Sequence, residues 1–147
     1  MACSVGLFYN AVEQALLCPR LIRCEVRGVP FKALLGELIS SVEGAEAAII
    51  MDAGGEAVQW QPPGDGERLR LRAAYVALVF QNCKTAARNL ELGRMNRLVI
   101  EYDGASFIIE ELEGDYLVAI ELNYSANVFQ ALTLIQPVLE KLRQVIS

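Results

Sequence analysis

The sequence predicts an α/β fold of the α+β kind: a five-stranded antiparallel sheet flanked by helices, in the order α-β-β-α-β-β-β-α. Three observations predict it. Apolar residues from Phe31 onward recur at helical spacing. A long stretch at 67–92 contains neither Gly nor Pro. After it, three short apolar runs follow one another across Asp-Gly and Glu-Gly-Asp turns, which leaves room only for hairpins.

Taken in order, Phe31, Leu34, Leu35, Leu38, Ile39 and Val42 mark one face of a first helix, with Gly44 just past its end. The continuous apolar run at 47–51 reads as a central strand. Asp52, Ala53, Gly54 and Gly55 form a turn into a return strand at 56–61, on which Trp60 alternates with Val58 and packs inward. Pro62, Pro63, Gly64, Asp65 and Gly66 make a loop. The helix at 67–92 has Leu69, Ala73, Val76, Phe80, Cys83, Ala87 and Leu90 on one face, and Gly93 stops it. Strands are expected at 98–102, 106–112 and 116–122. A last helix at about 126–146 is capped by Ser125 or Asn127, and Pro137 inside it should kink it or leave a carbonyl unpaired.

Residues 1–29 stand apart, with a short amphipathic helix expected at 7–17, ended by Pro19. Gly28, Val29 and Pro30 read as a boundary, so the domains are a 1–29 extension and a 30–147 folded unit. The first residues lack the basic start and the uninterrupted apolar run of a secretory signal.

The bulk chemistry narrows function mainly by exclusion. A chain of 147 residues suffices for one core. Its mean hydropathy of +0.32 is high, yet no apolar run approaches the ~20 residues that cross a bilayer, so membrane insertion is not expected. A net charge of −5 disfavours a generic nucleic-acid binder. The charge is segregated: Arg68, Arg70, Arg72, Lys84, Arg88, Arg94 and Arg97 face a single acid, Glu91, whereas 98–123 carries seven acids and no base. Either these faces are solvated and pair with each other, or they steer a partner.

A search for catalytic or cofactor chemistry comes up short, and neither an enzyme nor a cofactor is expected. There is no histidine, and Cys3, Cys18, Cys24 and Cys83 form no CxxC pair, which argues against structural zinc and a disulfide framework and fits a reducing cytoplasm. Lys84 and Thr85 lack the preceding glycines of a phosphate loop, and there is no GxGxxG. Asp52 and Asp103 sit where turns want aspartate. Cys83 falls on the apolar helix face and reads as a buried structural thiol.

One feature exceeds what a single core requires. Residues 73–80 are eight consecutive apolar residues, more than two helical turns at ~3.6 residues each. Ala73, Val76 and Phe80 can cover the sheet; Leu71, Tyr75, Leu78 and Val79 need a second surface. Either residues 1–29 fold back over it, or the contact is intermolecular, most simply with the same helix of a second subunit. If 97–101 is an edge strand, pairing it with its twin would extend the sheet.

At this point the residues resemble the Roadblock family (dynein light chain, roadblock type), above all its bacterial stand-alone members, from 31 to about 146. The resemblance lies in the ordered blocks FKALLGELISSVEGAEAAIIMDAGGEAV, LVIEYDGASFIIEELEGDYLVAIEL and SANVFQAL. It implies a Roadblock/profilin-like sandwich and a homodimer, with the middle helices together and the strands at about 94–102 paired into one sheet. It further implies a regulator or scaffold of small Ras-like GTPases, in some members accelerating hydrolysis by reshaping the GTPase's own site. By matching position, the partner-facing residues are Arg68, Arg72, Tyr75, Val79 and Asn82; Leu78, Arg97 and Val99 complete the implied interface. The resemblance does not cover residues 1–29, and related bacterial chains would begin near Pro30, so translation is expected to start at Val29 if its codon is GTG. Two other classes compete: a scaffold that bridges motility, transport or signalling proteins without touching hydrolysis, and a sensor holding a small ligand.

Overall fold

The computed structural model describes Phe31–Ser147; the expected helix at 7–17 and the boundary at 28–30 lie outside the described residues. Helix α1 (Phe31–Ser41) buries Leu34, Leu35 and Leu38, as their spacing requires. Gly44 ends it at φ +85°, and a Cβ there would stand 2.7 Å from that of Ala126, so only glycine fits where the chain enters the sheet. Strands β1 (Ala45–Asp52) and β2 (Ala57–Gln61) form the first hairpin. Asp52 closes its turn: Oδ1 accepts the amides of Gly54 and Glu56, both at 2.9 Å.

A short 3₁₀ turn at Pro63–Asp65 leads into helix α2 (Gly66–Asn89). Three further strands follow: β3 (Arg97–Glu101), β4 (Ala105–Glu111) and β5 (Tyr116–Asn123). All neighbours are antiparallel in the order β2-β1-β5-β4-β3, so β2 and β3 are the edges.

Period-two alternation sorts the sheet residues to two faces. Ile50, Ile108, Val118 and Ile120 meet α1 and the C-terminal helices on one face; Ile49, Met51, Ile109, Leu117 and Ala119 meet α2 on the other. The central strands β1 and β5 are therefore apolar on both sides, which is why 47–51 carries no alternation in the sequence.

Three expectations are corrected. The last helix is two helices, α3 (Val128–Leu134) and α4 (Gln136–Ile146), meeting at Ile135. Pro137 lies in the first turn of α4, where its missing N–H leaves no intrahelical bond unmade, so the chain breaks instead of kinking within one helix. Asn127, not Ser125, caps α3, its Oδ1 accepting the Gln130 amide at 3.1 Å. Secondly, Val58 and Trp60 lie on opposite faces of the sheet. Gln59 pairs with Ile50 and Ala57 with Met51, so Val58 is the extra residue of a bulge that reverses the alternation. Trp60 sits on the α2 side, with the Arg70 guanidinium 4.7 Å from its ring centroid. Thirdly, the buried face of α2 ends at Phe80. Cys83 is half-buried and Leu90 is exposed, because the last turns of α2 run beyond the sheet core.

Candidate functional site

Leu69, Ala73, Val76, Ala77 and Phe80 fix the rotation of α2 by packing on the sheet. That rotation turns the rest of the apolar middle outward: Leu71, Tyr75, Leu78 and Val79 are 62%, 65%, 58% and 37% exposed. Asn82 continues the row and is exposed too. Positions 71, 75, 78 and 82 are spaced four, three and four apart, the rhythm of a helix–helix seam.

Beside this row the sheet is open. Helix α2 lies chiefly over β1, β2 and β5. The α2-side residues of β3, Leu98 and Ile100, are only half-buried. Between α2 and the β3–β4 turn lies a groove of ≈ 540 Å³, lined by Leu71, Arg72, Tyr75, Tyr102, Phe107 and Glu121, among others. Tyr102 and Phe107 meet edge to face with centroids 6.3 Å apart.

The segregated charges largely pair with each other. Glu121 of β5, only 4% exposed, accepts from Arg72 and, at 3.1 Å, from Arg68, both on Oε1. Its Oε2 is buried without a hydrogen-bond partner among the described residues. Arg68 also reaches Asp65 at 2.8 Å. Burial, reinforced by the neighbouring Arg68 charge, lowers the Arg72 pKa from its ordinary value. Lys84 bonds to Glu111, with Arg94 farther off at 3.8 Å. Arg97 and Arg143 converge on the buried Glu110, the latter at 2.7 Å. Five of the seven bases at 68–97 thus meet acids of 98–123, which favours mutual pairing over free steering patches.

The residues anticipated from sequence are therefore divided. Leu71, Tyr75, Leu78, Val79 and Asn82 share one exposed face of α2. Arg68 and Arg72 stand at its flank, tied to Glu121. Arg97 and Val99 lie on the edge strand, but Val99 packs into the α4-side core and Arg97 bonds to Glu110 there. Their backbone lines the open edge. Sequence reasoning missed Leu98, Ile100, Tyr102 and Phe107; the alternation within 97–101 was the available signal for the first two. Among the described residues no cluster of acids, cysteines and histidines could hold a metal ion, and no helix is long and apolar enough to cross a membrane.

Among the described residues one face of α2 lies unpartnered beside an open sheet edge, and the layered fold that carries it is that of Roadblock/LC7 domains. No family model and no curated protein sequence matches the chain. Solved structures do. A Roadblock/LC7 domain from Streptomyces avermitilis superposes with a TM-score of 0.70 at 14% identity, covering 77% of this chain and 94% of that one. The gliding protein MglB from Thermus thermophilus gives 0.66 at 18% identity, over 78% and 86%. MglC from Myxococcus xanthus gives 0.57 at 19% identity, over 79% and 98%.

Proposed function

We propose that this protein is a cytoplasmic, non-enzymatic homodimer that regulates a small Ras-like GTPase by stabilising one of its conformations. The observation that carries the reading is the exposed row Leu71, Tyr75, Leu78 and Val79 beside the open edge of β3. An apolar row of this kind is the mark of an interaction face. A second subunit placed there covers both the helix row and the strand edge. It leaves the polar flank of α2, with Arg68, Arg72 and Asn82, at the rim for the GTPase. The fold shared with MglB, described as a gliding protein, and an MglB described as having a tetrameric arrangement support an assembling regulator. The proposed domain has the 30–147 boundaries read from the sequence.

A regulator must contact two states of its partner differently, because equal affinity shifts nothing. The test is GTP turnover and nucleotide affinity of a candidate small Ras-like GTPase from the same organism, with and without stoichiometric protein. A change in either is expected. Stable binding with both unchanged overturns regulation and leaves a bridging scaffold.

A further inference from the structure

Strand β3 reads Arg97-Leu98-Val99-Ile100-Glu101, a sequence that is chemically its own complement when reversed. We propose that two copies of this chain join β3 to β3 in a single register centred on Val99, and that Arg97 and Glu101 are the residues that select it. This rests on the homodimer reading above and specifies its geometry.

Symmetry does most of the selecting. Two copies of one edge strand that continue a single sheet are related by a two-fold axis perpendicular to it, so the strands run antiparallel and every side chain keeps its face. Directly opposed residues share a face. Leu98 and Ile100 lie on the α2 side, whereas Val99 lies on the α4 side. A register centred between two residues would oppose side chains from different faces and is excluded. Only registers centred on a residue remain.

Chemistry chooses among these. Centring on Leu98 opposes Arg97 to Val99; centring on Ile100 opposes Glu101 to Val99. Centring on Val99 pairs all five residues, sets Arg97 opposite the second copy's Glu101 twice over, and places Leu98 against Ile100 on the α2 side. The groups are ready for it. Glu101 is exposed and makes no ion pair among the described residues. Arg97 directs Nε and Nη2 to Glu110, which leaves Nη1 for an acceptor across the edge. The four residues Leu98 and Ile100 from both copies then form one apolar floor beneath the paired α2 helices.

Variants of the full chain with one added cysteine on β3 read the register directly, through oxidation followed by mass spectrometry that identifies the linked tryptic peptides carrying β3. Opposed strand residues lie ~4.5–5.5 Å apart at Cα, within disulfide reach, whereas diagonal neighbours at ~7–8 Å fall outside it. Val99→Cys is expected to link to itself. Leu98→Cys and Ile100→Cys are expected to link only when mixed with each other. Self-linking of Leu98→Cys or Ile100→Cys overturns the register while leaving the edge-paired dimer intact. No linkage in any variant, with a dimer by light scattering, overturns edge pairing altogether. A monomeric wild-type chain overturns the homodimer reading itself. Glu101→Lys, at an exposed position that no fold contact uses, should weaken dimerisation on the order of tenfold through two like-charge pairs; an unchanged dissociation constant removes the selecting role of Arg97 and Glu101.

Discussion

Arg72 on α2 and Glu121 on β5, separated by 49 positions in the chain, meet at one oxygen of a carboxylate that is almost wholly out of water. Arg68 bonds to that same oxygen, so a single acid orients two successive turns of α2 at the flank of the candidate interface. Removing either side should have unequal consequences. Arg72→Ala leaves a buried charge with one cation and should cost about 2–3 kcal/mol. Glu121→Ala frees two arginines that water still reaches and, discounted for that screening, should cost about 1–2 kcal/mol. Urea unfolding of both single variants and the double variant measures the coupling; strict additivity would mean the contact contributes no net energy.

The outward row of α2 should be dispensable for the fold and essential for assembly. Tyr75→Glu or Val79→Glu is expected to give monomer or insoluble protein by light scattering. A soluble wild-type monomer at micromolar concentration would count against the second-subunit assignment.

Gly55 sits at φ +86° directly under α2, and a Cβ there would stand 2.8 Å from the Ala74 Cα. Gly55→Ala should therefore destabilise by about 2–4 kcal/mol, from left-handed strain together with a clash against helix backbone that cannot yield. A thermal melt within a degree of wild type would show that the hairpin can withdraw from the helix.

Asn127→Ala removes the side-chain acceptor at the start of α3 and should cost about 0.5–2 kcal/mol. Ser125→Ala should cost less, because the Ser125 hydroxyl bonds to Asn123 and not to the helix. Chemical denaturation of the two variants distinguishes the caps.

How legible all this was depended on distance along the chain. Period and punctuation are local, so α1, α2 and the order of five strands could be read directly, and the surplus on α2 was visible because Leu71, Tyr75, Leu78 and Val79 fall between the core positions of the same helix. Partnerships between segments were not. Nothing near Glu110 or Glu121 announces a buried acid; each is buried because cations arrive from α2, β3 or α4. The Val58 bulge was hidden too, since one inserted residue changes the face of Trp60 without altering composition. Pro137 was noticed, but its effect depended on whether it stood inside a helix or at the start of one.

That bulge bears on how far assembly can run. A sheet that joins a twin at β3 still presents β2 at each outer margin, and a second two-fold junction there would propagate an endless ribbon. Strand β2 is badly suited to it: the extra Val58 breaks the regular spacing of its open edge, and Pro62 and Pro63 cut the strand short without N–H groups to offer. The irregularity that turns Trp60 to the α2 side would thus act as a terminator, holding the proposed assembly to a closed pair.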